Sequence, residues 1–162
     1  MARNMENKYG TLQANLKKDI EKKRKRFGDL KTPIVQRFHG EIWATGKASM
    51  VYVIPENKYT LPYEAKEDMH KSINNIFNSV MGGDKKDLVF DGITSNENFK
   101  TIMEFHVMGS YPIEKVYLNA QLVKKFGDLN KLHFVSKGHW FSPVGVFKRG
   151  VLIGVICPLK IH

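Results

Sequence analysis

Ser49-Met50-Val51-Tyr52-Val53-Ile54 is apolar at every position after Ser49 and is followed by Pro55. In an extended chain successive side chains point to opposite faces, so Met50, Tyr52 and Ile54 share one face and Val51 and Val53 the other. A strand apolar on both faces belongs in the middle of a sheet, and Pro55, with no N–H to give the ladder, ends it. Upstream, beyond Thr32-Pro33, Ile34 to Phe38 and Glu41 to Ala44 read as two more strands. After Pro62 the period changes. Met69, Ile73, Ile76, Phe77 and Val80 follow one another at offsets of four, three, one and three, which predicts a helix, and Gly82-Gly83-Asp84 stops it.

Strand-like runs resume at Leu88 to Phe90, Phe99 to Val107 and Lys115 to Leu118. Asn119 can cap a short helix containing Leu122, Val123 and Phe126, closed by Gly127. Lys131 to Val135, Val144 to Phe147 and Val151 to Ile156 complete the strands. Helices alternating with groups of strands predict an α+β fold, with antiparallel meanders carrying helices on one face and not a parallel βαβ repeat. The 162 residues are 42% apolar with ten Phe, enough for a core without covalent help. The expected division is a basic N-terminal helix in 1–31 and one α+β domain in 32–162.

Formal net charge is +10, and residues 1–31 hold ten Lys+Arg against four Asp+Glu. Leu12, Leu16, Ile20 and Phe27 fall on one helical face, and the remainder of the turn is polar or basic. Residues 5–27 therefore read as an amphipathic helix whose C-terminal half carries Lys17, Lys18, Lys22, Lys23, Arg24, Lys25 and Arg26. A cationic face of this density suits a polyanion, duplex DNA foremost; affinity would fall steeply with salt and carry little sequence information. The same pattern also suits a solvated face over an apolar seam. The apolar stripe is narrow and lacks Trp, so a membrane partner is not expected.

Reactive chemistry has little support. The six histidines form no helical pair spaced i, i+4 with a Glu, one cysteine cannot build a thiolate zinc site, and no metal or other cofactor is expected. His133 and His139, near Trp140, read as structural. No Gly-rich stretch matches a phosphate-binding loop, and neither Ser110 nor Ser142 sits in a nucleophile elbow. Cys157, beside Pro158 in an apolar run, reads as a buried, inert thiol. Asp87, Asp91 and Glu104 are the acidic residues through which a metal-dependent nuclease could be imagined, although their spacing follows no ligand pattern. The start MARNMENKYG has no signal-peptide run, and a reducing cytoplasm is the expected compartment.

Two stretches carry a family resemblance. Lys115-Val116-Tyr117-Leu118-Asn119-Ala120-Gln121-Leu122, then Leu132-His133-Phe134, Ser142-Pro143-Val144 and Gly154-Val155-Ile156-Cys157-Pro158-Leu159-Lys160-Ile161, resemble as a block the closing part of bacterial and phage DNA sliding clamps. Trp43-Ala44-Thr45-Gly46-Lys47-Ala48-Ser49-Met50 is similar to an Ala-Thr-Asp-Gly stretch earlier in that family, and the two come in the same order. The resemblance implies a clamp-like fold and a groove for a partner's peptide, mapping onto Thr45, Gly46, Met50, Val155, Cys157, Pro158 and Leu159. A chain of this length has a radius of gyration of about 15 Å, so one copy cannot surround a duplex. The expectation is a non-enzymatic accessory protein that tethers a replication or transcription protein to its template in a bacterial host cell, with further copies of itself among its candidate partners. The alternatives are the metal-dependent nucleic-acid-processing enzyme and a basic protein-interaction module.

Overall fold

In the computed structural model of the chain, residues 15, 35–38, 41–47, 50–55, 70–98 and 101–161 are described. The strand read first is β3 (Met50–Pro55), preceded by β1 (Val35–Phe38) and β2 (Glu41–Lys47). Helix α1 (His70–Met81) follows, then β4 (Lys86–Thr94), β5 (Ile102–Val107) and β6 (Lys115–Asn119). A short helix α2 (Ala120–Val123) tightens into a 3₁₀ turn at Lys124–Phe126, and β7 (His133–Ser136), β8 (Val144–Lys148) and β9 (Val151–Ile156) close the described chain. Among the described residues the nine strands form one sheet in the order β1-β2-β3-β9-β8-β7-β4-β5-β6. Each neighbouring pair is antiparallel.

The alternation along β3 divides the core as its sequence implies. Met50, Tyr52 and Ile54 join one cluster with Phe105, Val116, Leu118, Phe134, Val144 and Ile156. Val51 and Val53 join a second with Val80, Leu152 and Val155. The helices separate with them. Leu122, Val123 and Phe126, from α2 and its 3₁₀ extension, pack into the first cluster, whereas Val80, Ile76 and Phe77 of α1 pack into the second. Helices therefore contact opposite faces of the sheet, not one face as the grouping of elements predicts. A central strand apolar on both sides needs a cover on both, and one helix cannot supply it.

The helix ends follow local chemistry. Gly82 N–H donates to the Asn78 carbonyl oxygen at 3.0 Å, and Gly83 takes φ +69°, the left-handed stop that a residue without Cβ adopts at least cost. At α2, Asn119 Oδ1 accepts from Gln121 N–H at 3.0 Å and caps the first turn. Strand β4 runs further in both directions than its apolar residues Leu88 to Phe90 announce, because Lys86 and Asp87 pair with β7 and pairing with β5 resumes past Asp91 and runs to Thr94. Strand β5 begins at Ile102, later than the expected Phe99.

The sheet is curled. Strands β9 and β6 stand five places apart in it, roughly 24 Å if it were flat. Yet Leu159, three residues past the end of β9, donates its N–H to the Tyr117 carbonyl oxygen of β6 at 2.8 Å, and three residues span at most about 11 Å. The β6 edge must therefore turn back toward the end of β9, enclosing α2 and the first cluster. Among the described residues no helix is long and apolar enough to cross a membrane.

Candidate partner and nucleic-acid surfaces

The register brings several turns to one end of the sheet. Lys47 lies opposite Met50, Met50 opposite Ile156, and Ile156 opposite Val144; Lys86 lies opposite Ser136 and Leu88 opposite Val107. Loops 82–85, 108–114 and 137–143 and the tail 157–161 consequently share that end. With the tail bonded to β6, its residues 159–161 line a groove of about 320 Å³ together with Ile113, Glu114, Lys115, Tyr117 and Trp140.

The residues implied by the clamp resemblance divide here. Thr45 and Gly46 occupy the irregularity between Ala44 and Lys47, at the same end as the tail. Pro158 and Leu159 are half-buried and Cys157 is exposed. Met50 and Val155 are each 2% exposed and belong to the two core clusters, so they support the strands from within and offer no surface to a partner. Cys157 also departs from the expected buried thiol: it lies just beyond β9, where partial desolvation pushes its pKa up. Ile113, Tyr117 and Trp140 complete the groove without having been singled out for it. Alternation in β6 already turns Tyr117 away from buried Val116 and Leu118; that the tail would meet it is a matter of sheet curvature.

The acidic residues considered for metal chemistry are engaged in pairs. A register shift between Phe90 and Gly92 makes Asp91 the extra residue of a bulge. Its carboxylate lies 2.7 Å from His106 Nδ1 and accepts from Lys115 Nζ at 3.1 Å. Glu104 is 3.8 Å from Lys115 Nζ and accepts from the Tyr117 hydroxyl at 3.4 Å. Asp87 lies apart, 2.7 Å from His133 Nε2. Desolvation alone would raise the Asp91 pKa, but the bonds from His106 and Lys115 outweigh it and hold the carboxyl below its usual range. The bond to Asp91 pushes the Lys115 pKa up. Desolvation, with Glu104 nearby, does the same to Tyr117. Among the described residues no group of three or more His, Cys, Asp or Glu could hold a metal ion.

Lys17, Lys18, Lys22, Lys23, Arg24, Lys25 and Arg26 lie outside the described residues, as does the expected helix over 5–27 apart from one position. Asn15 is helical and half-buried, and its Nδ2 donates to the Lys125 carbonyl oxygen at 2.9 Å. This bond links residue 15 to the 3₁₀ turn after α2, where Lys124 is exposed. No family model matches this chain, and no curated protein or solved structure matches it either.

Proposed function

We propose that this chain is a non-enzymatic, clamp-fold accessory protein that holds a replication or transcription protein close to its nucleic-acid template. The observation that carries this reading is the bond from Asn15 to the Lys125 carbonyl oxygen. Asn15 stands two residues before Lys17 in sequence, so the bond ties the start of the basic stretch to a turn that carries an exposed lysine of its own. This supports reading the lysines and arginines that follow Asn15 in sequence together with Lys124 as one cationic surface. Duplex contacts made there neutralise phosphates and release counterions, giving affinity without sequence preference. At the other pole of the function, the apolar groove beside Leu159 takes short anchors from a partner, which raises that partner's effective concentration at the template without any bond being made or broken.

The test is duplex binding by fluorescence anisotropy across a salt series. Five to seven phosphate contacts predict a log–log slope of about −4.5 to −6.3. Replacing Lys22, Lys23, Arg24, Lys25 and Arg26 together by Ala should abolish binding at moderate salt, and unchanged duplex affinity in that variant would refute the nucleic-acid half. For the groove, Pro158→Asp and Leu159→Asp should release a replication or transcription protein that the wild-type chain retains; undiminished retention would remove the docking half.

A further inference from the structure

Loops 108–114 and 137–143 place large apolar side chains in solvent: Tyr111 is 99% exposed, Ile113 64%, Phe141 62% and Trp140 39%. These loops are held rigidly. Ser110 Oγ donates to the Val107 carbonyl oxygen at 2.8 Å and accepts from Glu114 N–H at 2.9 Å, Glu114 Oε1 accepts from Trp140 N–H at 3.3 Å, and Ser142 N–H closes the second loop on the His139 carbonyl oxygen.

Three rings sit together on loop 137–143. His139 and Phe141 lie 5° from parallel with centroids 5.3 Å apart, and Trp140 stands at 84° to Phe141. Cations frame the rings. Lys137 belongs to the same loop, the Lys86 stem packs against Gly138 so closely that a Cβ there would lie 2.9 Å from its Cδ, and Lys160 shares the groove wall with Trp140. All three lysines are exposed.

We propose that this end of the molecule is a platform for a single-stranded nucleic acid, with unpaired bases stacking on Tyr111, Trp140 and Phe141 and phosphates meeting Lys86, Lys137 and Lys160. Planar faces interleaved with cations are what a sequence-tolerant single strand requires. A lipid surface would take apolar tips lying in one plane, whereas here the adjoining rings of Trp140 and Phe141 stand perpendicular. The site uses none of residues 17–26, so it goes beyond the duplex contact and fails or stands independently of it.

The experiment titrates the full chain into labelled oligothymidylate and into a duplex of equal length, following anisotropy and tryptophan emission. Tyr111→Leu and Phe141→Leu keep an apolar side chain and remove the ring. Each should weaken single-strand binding about tenfold while duplex affinity stays unchanged. Wild-type emission should be quenched by the single strand, and Trp140→Leu should abolish the quench. Joint replacement of Lys86, Lys137 and Lys160 by Gln should reduce the single-strand salt slope by about 2. Unchanged single-strand affinity in both Leu variants overturns the proposal, as does equal loss of single-strand and duplex binding. Emission that ignores oligothymidylate but shifts blue with phosphatidylglycerol vesicles would overturn it in favour of a lipid surface. Duplex binding without single-strand binding would sink this inference and leave the tether intact.

Discussion

Gly154→Ala should destabilise the protein although the backbone there can accept alanine. Gly154 lies in β9 opposite Tyr52 and Val146, and it is absent from the positive-φ glycines. With space available, such a substitution would stabilise by about 0.4–1 kcal/mol through the unfolded chain. Space is not available: a Cβ would stand 2.0 Å from Phe126 Cε1, 2.4 Å from its Cζ and 2.9 Å from the Val51 carbonyl oxygen. Carbon atoms make their best contact at about 3.5–4.0 Å, so the ring has to move by more than an ångström. It has little room, since Phe126 is buried and its ring lies 5.5 Å from that of Tyr52. Overpacking of this kind costs about 1–3 kcal/mol. The severity of the overlap puts the cost at the upper end, and after the gain in the unfolded chain a net loss of about 2 kcal/mol remains. In a chain of this length that lowers the melting temperature by about 4–8 °C. Urea unfolding monitored by circular dichroism reads the difference directly. Phe126→Leu in the same chain supplies the control, because it withdraws the ring edge and leaves only the approach to the Val51 carbonyl oxygen; Gly154→Ala added to it should cost about 1 kcal/mol or less, so that the two substitutions couple in the double-mutant cycle. A Gly154→Ala protein as stable as wild type, or an equal cost in both backgrounds, would refute the proposed contact between β9 and the turn after α2.

Two further outcomes follow from the local geometry. Asn119→Ala removes the oxygen that caps Gln121 N–H and should lower stability by about 1 kcal/mol, read as a drop in the urea midpoint at unchanged slope; an unmoved midpoint would show that the cap contributes nothing. Asp91→Asn should destabilise at neutral pH by removing the ionised partner of His106 and Lys115. Because the folded-state pKa of Asp91 is lowered, its contribution is present above the unfolded value of about 3.9 and is lost as pH falls through the folded value. The gap between wild type and variant should therefore narrow in acid, and a gap independent of pH down to strongly acidic solution would count against the ion pairs.

The carboxylates and the tail show where sequence reasoning stops. Nothing in the spacing of Asp87 and Asp91 indicates that they turn to different histidines; that outcome depends on the bulge at Asp91, which redirects one side chain, and on β7 lying beside β4. The clamp resemblance draws attention to the tail and to Thr45 and Gly46 at the irregular end of β2, and these share one end of the sheet. It could not reveal that Met50 and Val155 face inward, because both are apolar residues in apolar strands and would look alike on either side.

By itself the sequence determined what repeats locally: the two faces of β3, the inner face of α1, the stops at Gly83 and Gly127, the cap at Asn119 and the concentration of positive charge before residue 32. These depend on side-chain periods of 2 and 3.6 and on the conformational preferences of single residues, which act over a few positions. The tertiary structure alone decided that the helices take opposite faces, that the tail meets β6, and that Tyr111 and Phe141, thirty positions apart in the sequence, stand on adjoining loops. Those outcomes depend on which strands pair and how far the sheet curls. Pairing is a competition among distant segments with similar apolar patterns, and it is resolved only when the whole core is packed.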